Sequence, residues 1–232
     1  MPNDKTDIPQ LLFRLPLFAE VGDEAIAHLA AATREKRLTR GEVLFQRGDP
    51  ARGFHVVVSG QIKLAFSSAQ GNEKVIEIVG PQQSFGEAVM FMDRPYPVFA
   101  EALLDTLLLT IAKCAVFELL EHDPHFARRM LAGLSARLHG LVRDVESYTL
   151  RSSSQRLIGY LLQHCESFEA EQSAGQQTIV LPTSKQVIAS RLNLTPETLS
   201  RIFAELSHVG LISVHGKQIT IHDPDRLSRY EP

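Results

Sequence analysis

Apolar and polar positions change period three times along this 232-residue chain. Residues 8–18 form a short apolar leading segment interrupted by Pro16, and residues 23–32 carry apolar side chains at helical spacing. Between Glu42 and Ile111 the pattern becomes a set of short β-rich runs, at 43–45, 54–59, 61–66, 74–79, 99–102 and 107–111. Turn signals separate them at 47–50, 59–60, 70–72 and 80–81, each containing glycine. Many short strands punctuated in this way predict an antiparallel barrel or jelly roll over residues 1–122. An unrelated β-sandwich would show the same pattern, so periodicity alone leaves both open.

The helical period returns at Asp123. Leu131, Leu134, Leu138, Leu141, Val145 and Tyr148 alternate three and four residues apart, which is a heptad seam. A helix buried inside one domain usually shows a wider apolar stripe. The narrow seam therefore predicts a dimerisation helix over 123–150 and a homodimer; an intramolecular core helix is the alternative. Arg151 to Ser154 reads as a hinge into a third region, 151–232. The fold class is α+β.

Residues 183–206 read as a helix-turn-helix. Val187, Ile188, Leu192 and Leu194 give the first helix and its turn one apolar face. Thr195 is suited to cap a second helix, Pro196 to its first position and Glu197 to its first turn. Leu199, Ile202, Phe203 and Leu206 then recur at helical spacing and should pack inward. Glu197, Ser200 and Arg201 are left on the outer face near the helix start, where a recognition helix reaches base edges. Arginine can donate twice to guanine O6 and N7, and glutamate can accept from cytosine N4. The plainer alternative is a surface helix with an i,i+4 Glu197–Arg201 ion pair. Residues 208–221 add a helix end and two short strands around His215 and Gly216, a β-hairpin wing.

These motifs resemble the CRP/FNR superfamily of transcription regulators. Leu211-Ile-Ser-Val-His-Gly-Lys217 is close to that family's wing, and Glu197, Ser200 and Arg201 match the Glu-x-x-Ser-Arg of its fumarate-and-nitrate branch. The cyclic-AMP branch has Arg where this chain has Pro196, and Gly where it has Ser200. The resemblance implies a cyclic-nucleotide-binding-type barrel, a dimer formed on the long helix, double-stranded DNA as partner, a TTGAT-like half-site and contact with RNA polymerase. On this reading Ser184, Lys185, Thr195 and Lys217 hold DNA phosphates.

Charge agrees only locally. The chain carries a formal net charge of −3, yet residues 180–222 hold four basic against two acidic groups, with Glu166, Glu169 and Glu171 in a loop before the motif. Focal positive charge implies few phosphate contacts and a reliance on dimerisation. No signal peptide or run of transmembrane length is visible, and Cys114 and Cys165 are isolated, so a cytoplasmic protein without membrane association is expected.

The effector is read from residues 84–99. Gly86 and Glu87 match the family's phosphate cassette, but its Arg-Ser or Arg-Thr pair falls on Pro97 and Val98. Arg94 lies three residues early. The Thr and Ser that the family's long helix presents to adenine fall on Leu141 and Val142. A buried phosphodiester needs a charge partner, so cyclic AMP is not the expected effector.

Phe85, Gly86, Glu87, Met90 and Met92, with Leu141 and Val142, are expected instead to line an apolar pocket. The stretch 87–93 resembles the dissimilatory nitrate respiration regulators, which implies haem-linked nitric oxide sensing. With no Cys before Cys114, a four-cysteine iron–sulfur cluster lacks ligands. Axial haem candidates are His28, His55, His122, His125, His139, His164 and Cys114, none in a signature, so the metal ligand stays open. The other readings are a regulator responding to another apolar effector and a constitutive DNA-binding protein with a structural β-domain. No HExxH, phosphate-binding glycine loop or Cys-His grouping supports an enzyme.

Overall fold

The computed structural model describes residues 7–18, 21–68, 73–166 and 176–230. The turn expected at 70–72, and Glu169 and Glu171, lie outside these residues. The chain divides into two compact units, residues 1–139 and 140–232.

In the first unit, α1 (Ile8–Phe13) is capped by Asp7, whose carboxylate accepts from the Gln10 amide at 3.1 Å. A single 3-10 turn (Pro16–Phe18) and α2 (Asp23–Ala31) follow. Leu12, Phe18, Ile26 and Leu29 are buried with Phe54, Ile111, Phe126 and Met130. The leading segment is apolar because it is core: Phe18 stacks on Phe126 with ring centroids 5.8 Å apart. Each such side chain contributes roughly 1.5–3 kcal/mol through burial.

The β-domain consists of β1 (Thr33–Leu38), β2 (Val43–Phe45), β3 (Gly53–Ser59), β4 (Ile62–Ser67), β5 (Glu73–Val79), β6 (Ser84–Phe85), β7 (Phe99–Ala102) and β8 (Thr106–Ala112). A short α3 (Glu87–Phe91) lies between β6 and β7. The strands form two four-stranded antiparallel sheets, ordered β1-β8-β3-β6 and β2-β7-β4-β5. Gly60 turns β3 into β4 with φ +86°; a Cβ there would lie 2.5 Å from the Asp105 carbonyl oxygen, so only glycine fits.

Strand β1 escapes the hydrophobic pattern. Its interior is Arg-Glu-Lys-Arg, and only Thr33 and Leu38 are buried. Six register pairs with β8, from Thr33↔Ile111 to Leu38↔Thr106, hold it extended, so pairing overrides local preference. Helices α4 (Lys113–His122) and α5 (Pro124–Leu150) follow. The boundary between the units falls inside α5. Phe126 and Met130 belong to the first core, so the expected separate dimerisation segment is shared by both units.

The second unit contains α6 (Ser153–Glu166), β9 (Gln177–Val180), α7 (Lys185–Arg191), α8 (Pro196–His208), β10 (Ile212–His215), β11 (Gln218–Ile221) and α9 (Pro224–Ser228). Leu157, Leu161, Ile188, Leu199, Ile202, Phe203, Leu206 and Ile219 form its core. The expected hinge at 151–154 is shorter than read, because Ser153 and Ser154 are helical. Ser152 and Gln155 form a reciprocal capping box: the Gln155 amide donates to Ser152 Oγ (3.2 Å) and the Ser152 amide to Gln155 Oε1 (2.9 Å). The wing is three-stranded, β10-β11-β9, with β9 unforeseen. Its turn is at Gly216-Lys217, one residue later than expected, because His215 pairs with Gln218 and Gly216 supplies the positive φ of 63°.

Candidate nucleic-acid interface and effector site

Two caps set the geometry of the helix-turn-helix. Ser184 Oγ accepts from the Val187 amide at 3.4 Å and starts α7; Thr195 Oγ1 accepts from the Thr198 amide at 3.2 Å and starts α8. Between them Asn193 takes the left-handed conformation, φ 57°, and the Leu194 amide returns to the Ala189 carbonyl at 2.8 Å. Asparagine is among the few side chains that tolerate this backbone, which here closes a helix C-terminus.

Helix α8 divides as the sequence predicts. Leu199, Ile202, Phe203 and Leu206 are buried, and Glu197, Ser200 and Arg201 are exposed on its first two turns. No Glu197–Arg201 ion pair is among those formed by the described residues. The expected phosphate contacts fare unevenly. Lys217 is exposed at the wing tip. Lys185 lies half-buried with Nζ 5.0 Å from the Phe203 ring centroid, so its stem is braced on the second helix. The Ser184 and Thr195 hydroxyls are committed to their caps, and Thr195 Oγ1 also donates to Thr198 Oγ1 at 3.1 Å.

Two arginines that the sequence did not single out hold this interface. Arg156 Nη1 donates to the Leu192 and Asn193 carbonyls at 2.8 and 3.1 Å, satisfying the exposed end of the turn. Arg191 Nη2 pairs with Asp144 at 2.6 Å, and its Nη1 donates to the Tyr148 hydroxyl at 2.5 Å. These partners are 36 to 47 residues apart, so no local pattern marks them. Tyr148 accordingly departs from the seam: it is half-buried against α7. The other seam positions stay apolar and uncovered within the chain, Leu131, Leu138, Leu141 and Val145 being 50–64% exposed and Leu134 half-buried.

The cassette region is closed from within. Gly86 takes φ 93° and starts α3. A Cβ there would meet the Tyr96 ring at 3.5 Å. Tyr96 stacks on Phe45, centroids 3.6 Å apart and 7° from parallel, beside Phe85 and His55. The Tyr96 hydroxyl donates to the Gly53 carbonyl (3.4 Å) and contacts His55 Nε2 (3.1 Å), while His55 Nδ1 meets Thr110 Oγ1 (2.9 Å). Burial, aided by Lys36, lowers the His55 pKa to about 4. Burial and the carboxylates of Glu87 and Asp49 raise that of Tyr96 to about 12. Glu87 is 4% exposed and paired with Arg137 of α5, Nη1 to Oε2 at 2.9 Å.

The residues expected to line an apolar pocket divide between core and surface. Phe85 and Met90 are core side chains, 1% and 0% exposed, and Glu87 is neutralised. Met90 faces the cluster of the leading helices rather than a slot. Of these residues, only Met92 in the first unit, and Leu141 and Val142 in the second, are open to solvent.

The described residues do not fit a haem at the cassette. His55, the one buried candidate, has both ring nitrogens engaged. His28 pairs with Glu118 (2.9 Å), His122 Nδ1 meets the Glu118 carbonyl (2.7 Å), and His164 Nδ1 meets the Tyr160 carbonyl (2.9 Å). His125, His139 and Cys114 are exposed. Among the described residues no group of three or more His, Cys, Asp or Glu is placed to hold a metal ion, and no helix is long and apolar enough to cross a membrane.

A glycine-punctuated double sheet, a long helix with an uncovered apolar stripe and a winged helix-turn-helix together define a two-unit DNA-binding regulator. Comparison with known proteins agrees. Residues 35–123 match a cyclic nucleotide-binding domain and residues 155–230 a Crp-like helix-turn-helix domain. The chain is 30% identical over 194 residues to the transcriptional activator protein anr of Pseudomonas aeruginosa, covering 84% of this chain and 79% of that protein. It is 25% identical over 220 residues to the CRP-like cAMP-activated global transcriptional regulator of Mycobacterium tuberculosis, covering 95% and 98%. FixK2 of Bradyrhizobium japonicum shares the fold, with a TM-score of 0.74 at 21% identity over 86% of this chain and 98% of that one. The chain belongs to the CRP/FNR family of transcription regulators and is not an enzyme.

Proposed function

We propose that this regulator works as a homodimer through α5 and reads a two-fold DNA site with TTGAT-like half-sites, controlling genes of anaerobic and nitrogen-oxide respiration. The observation that carries the reading is the exposed triad Glu197, Ser200 and Arg201 on a helix whose opposite face is buried. Arg201 donates to guanine, Glu197 accepts from the opposing cytosine, and Ser200 meets a neighbouring thymine. Lys185 and Lys217 hold phosphates, with backbone amides at the α7 and α8 starts in place of the capped hydroxyls. RNA polymerase is the expected partner of the bound dimer. Footprinting on a TTGAT-like palindrome and on a scrambled duplex tests this; equal affinity for both would end it.

Cyclic AMP is not the effector on this reading, although the mycobacterial relative is described as cAMP-activated. Pro97 and Val98 offer no cation, and Glu87 is already paired with Arg137. Saturable binding of cyclic AMP at micromolar concentration in a calorimeter would overturn this. Haem-linked nitric oxide control is the second reading. The resemblance over 87–93 and the exposed apolar Met92 favour it; the closed cassette opposes it. Titration with haemin decides: absence of uptake leaves a regulator whose β-domain does not sense haem.

A further inference from the structure

We propose that Arg137 is a built-in occupant of the cassette, a latch that fixes the roll of α5 on the β-domain without any bound effector. Its guanidinium reaches three acceptors: Glu87 Oε2 at 2.9 Å, Glu77 Oε1 at 3.2 Å and the Ser84 carbonyl oxygen. All three acceptors lie inside the matched cyclic nucleotide-binding domain, and Arg137 lies beyond its end. The Glu87 side chain is only 5% exposed, so it needs a cation, and among its described contacts Arg137 supplies one. The contacts thus bring strand β5, the β6–α3 junction and the long helix to a single side chain 50 to 60 residues away from its partners.

The position of Arg137 on α5 gives the latch its consequence. It precedes Leu138 and follows Leu134 by three residues, so it borders the seam on which the dimer reading rests. A planar fork held by three acceptors fixes direction as well as distance. With Arg137 turned to the cassette, Leu138 is left 64% exposed, available to a second copy. Releasing the latch frees the helix to roll and strands a buried carboxylate. The inference rests on the dimer reading and adds to it a control point: Arg137 and Glu87 act as positioning residues, not as DNA contacts.

The test compares the full chain with Arg137→Gln, Glu87→Gln and the double variant, by sedimentation and by binding to the palindromic duplex. Each single variant should weaken the dimer by about tenfold or more, because it breaks the buried Glu87–Arg137 ion pair. The double variant replaces the buried pair by two amides and leaves only the more exposed Glu77 carboxylate without Arg137, so it should recover most of the loss. Thermal unfolding runs alongside. Singles that lose thermal stability but keep the wild-type dimer constant would reduce the pair to a structural tie and overturn the proposal. So would a double variant as weak as the two losses combined. A monomeric wild type would sink the dimer reading itself, whereas a dimeric wild type with an unaffected Arg137→Gln sinks the latch alone. Should Arg137→Gln fail to fold, Glu87→Gln and the double variant carry the same comparison.

Discussion

Tyr148 and Arg191 hold each other through two hydrogen bonds: the Tyr148 hydroxyl donates to the Arg191 carbonyl at 2.6 Å, and Arg191 Nη1 donates to the hydroxyl at 2.5 Å. One residue is near the end of the long helix and the other closes the first helix of the DNA-binding motif. Asp144 adds an ion pair to the same guanidinium.

Tyr148→Phe removes the hydroxyl that links these two contacts. It should destabilise the second unit by about 0.5–1.5 kcal/mol, the net worth of a hydrogen bond between half-buried groups. Amide hydrogen exchange in α7 should accelerate, while the salt dependence of DNA binding stays the same. Unchanged protection in α7 would mean that solvent replaces the hydroxyl without cost.

Arg201→Ala should cost about 1–3 kcal/mol per half-site on the specific duplex and relax the preference at one base position. Lys185→Ala should weaken specific and random duplexes alike and lower the salt slope by about one. The loss from Lys185 also includes its packing over Phe203, visible as a small drop in unfolding midpoint. Equal losses for Arg201→Ala on specific and random DNA would make it a phosphate clamp.

Leu138→Glu places like charges at the centre of the apolar stripe and should convert the dimer to monomer at micromolar concentration. Leu138 is 64% exposed in the isolated chain, so the fold of the monomer should survive, as circular dichroism would report. A variant that remains dimeric would move the interface elsewhere.

His55 gives the β-domain a pH dependence of known sign. Its folded pKa, about 4, lies below the ordinary value of 6.5, so protonation favours the unfolded chain. The neutral ring's contribution is fully present above pH 6.5 and is lost as pH falls through the interval down to 4, by roughly 3 kcal/mol in all. Urea midpoints at pH 7 and pH 5 should differ more for the wild type than for His55→Gln. Parallel shifts in both proteins would assign the acid sensitivity to other groups.

The sequence alone determined what depends on neighbours a few residues apart. Period, glycine turns and caps are local, so the apolar face of α8, the seam on α5, the winged hairpin and most strands were legible; Ser184 and Thr195 cap as their types require. The tertiary structure decided whatever depends on long-range pairing or on which surface is already filled. Strand β1 is extended because β8 holds it, against its charged composition. Met90 and Glu87 look alike as pocket residues in the sequence, yet one is packed beneath the leading helices and the other is neutralised by Arg137. Ion pairs such as Arg137–Glu87 and Arg191–Asp144 join residues 47 to 50 positions apart, and charge complementarity at that separation has no period for a sequence to display.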